Sequence, residues 1–392
     1  MVNSGLDRLV QSQFKELHGR NVAIVCNQAT IDSNYEHIIN LMVSASAGKF
    51  NITRIFGPQH GVWGHTQDNM IEWEDYVDPD TGLIFNSLYG AHRKPAQSLL
   101  EGTDLILFDV QDVGARYYTF MWTLMYCMEA AEEAGIEIMV LDRPNPVNCV
   151  DVEGTVLEEG WESFVGLRPM PLRHGLTIGE IGNYLKNKFY PDCKLTIHQM
   201  VNYNPSEFWG GTGLPWVMPS PNMPTPQTAI VYPGMCLLEG TKMSEGRGTT
   251  RPFEIVGAPY IDGEFLAREL NSSGLPGVKF RRVSFQPTFQ KFAGIPCNGV
   301  QVHVIDPKSY LPVLTTLALL RLVLENWRDQ FQWQDPPYEY EYVKLPFDIL
   351  AGCEWLRADL ESGVSLERLQ ERMKAQCSVF EPTRRAAMIY SR

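Results

Sequence analysis

Residues 104–145 read DLILFDVQDVGARYYTFMWTLMYCMEAAEEAGIEIMVLDRPN and indicate the architecture of the chain. Two apolar runs, at 105–110 and 136–141, have the length of buried strands, and the amphipathic stretch 117–134 before Gly135 predicts a helix. Strand, helix and strand in this order predict a right-handed βαβ unit of a parallel sheet. Ligands of such sheets bind beyond the carboxyl ends of the strands, so we expect the functional site there.

The same kind of apolar run recurs in the N-terminal half, and it predicts further strands at 21–26, 52–56 and 194–200. Helices are predicted at 35–44 and 177–190, the latter with a capping box formed by Thr177 and Glu180. Residues 61–98 are expected to be loop-like. We therefore predict an α/β protein whose N-terminal domain, 1–228, contains a Rossmann-like parallel sheet.

The C-terminal part has a different pattern, with alternating strands followed by helices. Its strands are predicted at 278–285 and 299–305, and its helices at 310–326, 346–359 and 365–376. This pattern indicates a smaller α+β auxiliary domain, 229–392. The proline- and glycine-rich stretch 203–234 is expected to be a domain linker or a long active-site loop.

The composition is typical of a globular protein, with 44% hydrophobic residues in a chain of 392 and a formal net charge of −13. That charge argues against nucleic acid or an anionic membrane as the main partner. No apolar stretch reaches the roughly 18 residues of a membrane span, so membrane insertion is not expected. The N-terminus has no apolar signal-peptide core, and eight dispersed cysteines fit free thiols. The expected location is the cytoplasm, or outside it if a leader had been removed.

Several familiar motifs are absent from the sequence. No strand is followed by GxGxxG, and no GxxxxGK[ST] occurs, which argues against a nucleotide site. There is no HExxH motif and no paired His/Cys spacing, so no metal site is predicted. A GxSxG elbow is also missing, which argues against an α/β serine hydrolase.

Polar side chains follow three of the predicted strands. These candidate site residues are Gln59 and His60 after the second strand, Asp109, Gln111, Asp112 and Arg116 after the third, and Asp142, Arg143 and Asn145 after the fourth. Taken singly, such an aspartate could be a helix N-cap with an arginine as its ion-pair partner. Their recurrence at one sheet edge is instead typical of a sugar or polar-metabolite site.

The glycine-rich stretch 240–254, GTKMSEGRGTTRPFE, is the second candidate segment. It contains Glu245 and two arginines, Arg247 and Arg251, whose forked guanidinium groups suit carboxylate recognition. The alternative is a solvated charged loop. Glu153 and His174 in another proline- and glycine-rich region are further candidates, although a lone histidine is often structural. Tyr117 could stack on a sugar ring or belong to the core.

Several longer stretches together resemble the exo-β-N-acetylmuramidases of the NamZ type. The matching stretches span nearly the whole chain in order and include FGPQHGVWG at 56–64, DLILFDVQDVGARYYT at 104–119, VLDRPNP at 140–146, PLRHGLTIGE at 171–180, GLPWVMPSPNMPT at 213–225 and YPGMCLLEGTKMSEGRGTTRPFEIVGAP at 232–259. The resemblance implies a Rossmann-like domain, an auxiliary domain and an active site in the cleft between them. It also implies hydrolysis of terminal, non-reducing N-acetylmuramic acid from peptidoglycan fragments, without a cofactor.

One position departs from the family pattern. The family usually has glutamate before the His-Gly of the first motif, and that glutamate is its favoured catalytic carboxylate, whereas this chain has Gln59. An amide cannot exchange a proton at neutral pH, so another group is required. The candidates for catalysis are His60, Glu72, Asp109, Asp112 and Glu245, with Glu153 a further carboxyl. Among the acids, Glu72 is the closest to Gln59 in sequence.

Three functional classes remain open from the sequence. The first is an exo-glycosidase, in which Arg116, Arg247 or Arg251 binds the lactyl carboxylate of muramic acid. The second is a non-catalytic or altered-specificity amino-sugar-binding relative, suggested by Gln59. The third is an enzyme of another class that acts on a small acidic metabolite. A pocket without room for a pyranose would favour the third class.

Overall fold

The computed structural model describes residues 1–68 and 70–392. Its strands are β1 (Asn21–Cys26), β2 (Asn51–Gly57), β3 (Tyr76–Val77), β4 (Ile84–Ser87), β5 (Leu105–Asp109), β6 (Glu137–Leu141), β7 (Glu153–Val156), β8 (Pro171–Arg173), β9 (Lys194–His198), β10 (Ile255–Ala258), β11 (Val278–Phe285) and β12 (Cys297–Val304). Its helices are α1 (Gly5–Gln11), α2 (Ile38–Ser46), α3 (Phe120–Ala134), α4 (Ile178–Lys188), α5 (Trp209–Thr212), α6 (Pro226–Met235), α7 (Gly263–Ser272), α8 (Pro312–Asn326), α9 (Pro346–Ala351), α10 (Trp355–Glu361) and α11 (Leu366–Ala387).

The large sheet confirms the predicted Rossmann-like α/β fold. Its strand order is β3-β4-β2-β1-β5-β6-β9, and every neighbouring pair is parallel except β3 with β4. Numbered along the chain, the parallel strands follow the order 3-2-1-4-5-6 of a doubly wound nucleotide-binding sheet. The loops that leave β2 and β5 therefore lie at one edge of the sheet.

Helices cover both faces of this sheet, and the strand sequences explain why. In β1, Val22 and Ile24 pack into the cluster that also holds the apolar side chains of α1 and α2. Their neighbours Ala23 and Val25 belong to the cluster on the opposite face, which includes α3 and continues into the C-terminal half. A central strand that is buried on both faces is continuously apolar, which is the pattern of the sequence.

The C-terminal half is built around the antiparallel sheet β10-β12-β11, on which α7 packs. Helix α8 packs against α6, and α11 returns to contact the β7–β8 hairpin and α4 of the N-terminal half. The two halves therefore share an extended interface rather than a flexible tether. In the part of the chain that the structure describes, no helix combines the length and apolar character needed to cross a bilayer.

Two expectations for local structure were wrong, and a third was wrong in one of its two alternatives. The stretch 61–98 contains β3 and β4, which extend the large sheet at its edge. The stretch 203–234 contains α5 and α6, so the linker alternative was wrong, whereas the loop between these helices contributes Ser220 and Asn222 to the pocket described below. The single helix expected at 346–359 is divided into α9 and α10, because Gly352 adopts a left-handed conformation at φ 73° that ends α9.

The capping box predicted for α4 is present. Thr177 Oγ1 accepts a hydrogen bond from the Glu180 amide at 3.2 Å, and the Glu180 carboxylate accepts one from the Thr177 amide at 3.0 Å. We expect Thr177→Ala to lower the free energy of unfolding by about 1 kcal/mol, measured by urea denaturation. Thr177→Ser keeps the hydroxyl and should remain close to the wild type; an equal loss in both variants would contradict the cap as the cause.

Candidate active site

A polar pocket lies at the carboxyl ends of the strands of the large sheet, between the two halves of the chain. Its enclosed cavity volume is about 40 Å³. The N-terminal half supplies the loops after β2 and β5, and the C-terminal half supplies the wall opposite. The lining residues include Gln59, His60, Tyr117, Tyr118, Thr119, Ser220, Asn222, Tyr232, Glu239, Arg247, Phe253, Tyr338 and Glu339.

Gln59 is held in one orientation by hydrogen bonds on both sides of its amide group. The Thr119 hydroxyl donates to Gln59 Oε1 at 2.7 Å, so the amide nitrogen is directed to the other side. There Nε2 donates to the Tyr89 hydroxyl at 3.1 Å and to Glu339 Oε1 at 3.2 Å. The amide therefore places a hydrogen-bond donor against a carboxyl group of the pocket.

Arg247 organises the opposite wall. Its Nη2 donates to Glu239 Oε1 at 2.7 Å, and its Nε lies 3.5 Å from Glu245 Oε1. The other oxygen of Glu239 accepts a hydrogen bond from the Tyr338 hydroxyl at 2.6 Å. Lys291 neutralises Glu245 with an Nζ–Oε2 distance of 2.8 Å. Two buried carboxylates thus share two cations.

The two carboxyl groups that line the pocket titrate differently. Burial raises the pKa of Glu339 to about 7, even though hydrogen bonds from Tyr89 and Gln59 oppose the shift. Burial also acts on Glu239, but Arg247 and the Tyr338 hydroxyl outweigh it and hold the pKa of Glu239 below its ordinary value. One carboxyl is ionised at neutral pH and the other is poised to exchange a proton, which is the division of roles that acid–base catalysis requires.

His60 is neutral at physiological pH, because burial lowers its pKa to about 4. Its Nδ1 lies 2.8 Å from the Thr66 carbonyl, so Nδ1 carries the proton and Nε2 is an acceptor. The residue adopts a left-handed conformation at φ 72°. Within residues 1–68 and 70–392, no group of three His, Cys, Asp or Glu side chains is arranged to hold a metal ion.

Of the sequence candidates, four line this pocket: Gln59, His60, Tyr117 and Arg247. Glu245 is buried directly behind Arg247. Glu72 lies on the exposed side of the same region, where its Oε1 accepts a hydrogen bond from Tyr340 at 3.0 Å. Arg251 is half-exposed, pairs with Glu254 and lines a different surface groove.

Asp109 and Arg143 form a buried ion pair beneath the pocket. Arg143 grips both carboxylate oxygens, with Nη2 at 2.8 Å from Oδ2, and also donates to the Ile31 carbonyl at 3.0 Å. Gln111 donates to the Asp112 and Pro144 carbonyls. These contacts join the loops after neighbouring strands, which is a scaffolding role.

Asp112 and Arg116 are also buried in the loop after β5. Asp112 accepts a hydrogen bond from the Gly114 amide and lies 3.3 Å from His174 Nε2. Arg116 donates to the carbonyls of Thr155, Met170 and Leu350. Burial lowers the pKa of Arg116 to about 10. Its guanidinium therefore ties the two halves together through backbone acceptors.

The remaining candidates hold secondary structure in place. Asp142 accepts hydrogen bonds from Thr177 and from the Gly179 amide at the start of α4, and burial raises its pKa to about 7. Asn145 donates to the Leu176 carbonyl. Glu153 accepts from the Leu314 amide at the start of α8, and burial raises its pKa to about 7.

Residue-by-residue reading of the sequence missed the carboxyls that line the pocket, Glu239 and Glu339. Glu339 lies in PPYEYEYV, where acids alternate with tyrosines and resemble a solvated strand. A carboxylate between aromatic residues and beside a proline pair was the available signal. Glu239 precedes the glycine-rich stretch and lies in a 3₁₀ turn, Cys236–Gly240.

The fold and the pocket define a class: an α/β protein of Rossmann-like topology with an acidic pocket beyond the carboxyl ends of its strands. Two family models identify the family within that class. "Exo-beta-N-acetylmuramidase NamZ, N-terminal" matches residues 22–227, and the corresponding C-terminal model matches residues 230–390. The chain therefore belongs to the NamZ family, as the sequence motifs predicted.

Individual relatives agree with this assignment. The chain is 40% identical over 390 residues to the peptidoglycan β-N-acetylmuramidase NamZ of Bacillus subtilis strain 168, covering 99% of this chain and 91% of that protein. Two crystal structures of DUF1343 family proteins from Bacteroides fragilis NCTC 9343 share the fold. The first has a TM-score of 0.90 and 30% identity, and the second 0.77 and 26%; each comparison covers 100% of this chain and 99% of the other.

Proposed function

We propose that this protein is an exo-acting glycoside hydrolase that releases terminal, non-reducing N-acetylmuramic acid from peptidoglycan fragments. One observation carries the proposal. The family stretches at 56–64 and 240–254 meet in one pocket, where Gln59 and Arg247 lie beside two buried carboxyl groups. The pKa of one, Glu339, is raised, and the pKa of the other, Glu239, is lowered. Glycoside hydrolysis uses such a pair to protonate the leaving oxygen and to stabilise or attack the anomeric carbon.

Membership of the family supports an exo mode of action, and the lining of the pocket supports an acidic amino sugar as the substrate. Arg247 is the cation in its wall suited to the lactyl carboxylate of muramic acid. His60 Nε2 provides an acceptor for a sugar N–H or O–H, and the rings of Tyr117 and Tyr118 provide flat apolar surface.

The organisation of the chain supports two further parts of the proposal. We propose domains at 1–228 and 229–392, joined within α6, so that a helix rather than a loose linker connects the two walls of the pocket. We also propose a reducing, cytoplasmic location and muropeptide fragments as substrates. All eight cysteines are free thiols, seven of them buried, which fits a compartment without oxidative folding.

The direct test is hydrolysis of a chromogenic β-glycoside of N-acetylmuramic acid and of the disaccharide N-acetylmuramic acid–N-acetylglucosamine. We expect release of N-acetylmuramic acid from both and much slower turnover of the matched N-acetylglucosaminide, which lacks the lactyl group. Binding of the sugar by calorimetry without any turnover would instead identify a non-catalytic amino-sugar-binding relative. If the protein neither bound the sugar nor hydrolysed either substrate, the proposal would be refuted.

A further inference from the structure

A segment of the C-terminal half, residues 336–344, crosses the cleft and closes one side of the pocket; we call it the strap. The Tyr340 hydroxyl donates to Glu72, and the Tyr340 ring meets the Tyr89 ring edge-on at 5.9 Å. The guanidinium of Arg93 lies 4.8 Å from the centre of the Tyr340 ring. The strap is therefore anchored on the N-terminal half at the mouth of the pocket.

Glu339 is the residue that the strap delivers into the pocket. It is 4% exposed and adopts a left-handed conformation at φ 46°, which is uncommon for a residue with a side chain and clusters at functional sites. Gln59 donates to its Oε1 at 3.2 Å, and Tyr89 donates to its Oε2 at 3.0 Å. Both carboxyl oxygens are thus fixed from the N-terminal half.

We propose that Glu339 is the general acid of the glycoside hydrolysis and that Gln59 is a positioning residue that holds it. This inference rests on the proposed function. The family's favoured catalytic position is an amide in this chain, and that amide contacts a carboxyl supplied from a distant part of the sequence. In this chain the carboxyl that donates the proton comes from the strap, and it lies within hydrogen-bond distance of the loop after β2.

The step balances without any cofactor. The bond between the anomeric carbon and the glycosidic oxygen breaks with both electrons remaining on the oxygen, which takes the proton of the Glu339 carboxyl and leaves as an alcohol. A water molecule then adds its oxygen to the anomeric carbon and gives up one proton, which restores the carboxyl directly or through solvent. Glu239, kept ionised by Arg247, faces the developing positive charge on the sugar ring.

The surroundings of Glu339 suit this role over a defined pH range. Its neighbours are Gln59, Glu239 and Arg93, together with the hydroxyls of Tyr89, Tyr338 and Tyr340. Burial and the charge of Glu239 raise the pKa of Glu339, and the result is about 7. The protonated form is the active form, so kcat/KM for the disaccharide should fall as pH rises through about 7.

The test is the leaving-group dependence of Glu339→Gln. A sugar leaving group needs protonation, so we expect a roughly 100- to 10,000-fold loss of kcat/KM on the disaccharide. A 4-nitrophenyl leaving group is stable as the phenolate, so activity on the nitrophenyl glycoside should fall by less than about tenfold. The fall of the disaccharide rate above neutral pH should also disappear in this variant.

Two further variants protect the test from a folding defect. Glu341→Gln changes a neighbouring strap carboxylate that caps a turn through the Val343 amide, and its activity should match the wild type. Glu339→Asp keeps the carboxyl on a shorter stem and should recover part of the disaccharide activity. Equal losses of Glu339→Gln on both substrates, or none, would overturn the role of Glu339. A wild type inactive on both substrates would instead refute the proposed function.

Discussion

Replacing Arg143 with methionine should lower the free energy of unfolding by about 3 to 5 kcal/mol, a large part of the stability of a typical domain. The variant leaves the Asp109 carboxylate buried without its bidentate partner, and it also removes the donor to the Ile31 carbonyl. The pKa of Asp109 is already raised by burial despite Arg143. Without Arg143, the buried carboxylate would lose the cation that offsets the cost of its desolvation. Urea denaturation followed by fluorescence measures the loss.

Two control variants show whether Arg143 serves as the structural partner of Asp109 or as a contact to the substrate. The double variant Asp109→Leu/Arg143→Met removes both charges and should recover most of the stability, because an apolar pair of similar size replaces a buried ion pair at little cost. Arg268→Met removes an exposed arginine that pairs with Glu269 and should change stability by less than about 0.5 kcal/mol. An Arg143→Met protein with normal stability and a raised KM would show that Arg143 binds substrate after all.

The parallel sheet was predictable because each central strand is buried on both faces. Such strands are continuous apolar runs, and their lengths set their bounds to within a few residues, as at β1 and β5. Strands β3 and β4 were not predicted, because they are short and lie at the edge of the sheet, where a strand does not need a long apolar run. The break between α9 and α10 depended on one left-handed glycine in an otherwise helical pattern.

The site was predictable only where strand ends determine it. The sequence predicted candidate residues at this edge of the sheet, and Gln59, His60 and Arg247 line one pocket there. The sequence could not separate the polar groups that line the pocket from those that support it. Asp109 and Arg116, for example, form hydrogen bonds with residues of neighbouring loops instead of lining the pocket. Glu339 approaches Gln59 across 280 residues of chain, and such a contact has no local signature.

Replacing Arg247 with alanine should reduce the preference for muramic acid over N-acetylglucosamine. The variant removes the guanidinium from the pocket wall, so the lactyl carboxylate loses a charge-assisted partner worth about 2 kcal/mol or more, which corresponds to roughly 30-fold in kcat/KM. Both substrates also suffer from the loss of the cation beside Glu239 and Glu245. The ratio of kcat/KM for the two matched nitrophenyl glycosides cancels this shared loss and isolates the lactyl contact.

Arg251 provides the control within the same glycine-rich stretch. It is four residues further along, half-exposed, and paired with Glu254 on a different groove, so Arg251→Ala should leave the ratio within about twofold of the wild type. If Arg247→Ala lowered both rates by the same factor, the guanidinium would serve only to keep Glu239 ionised. If Arg251→Ala changed the ratio instead, the lactyl group would reach beyond the pocket to the outer groove. A change confined to Arg247→Ala identifies the residue that distinguishes muramic acid from its parent sugar.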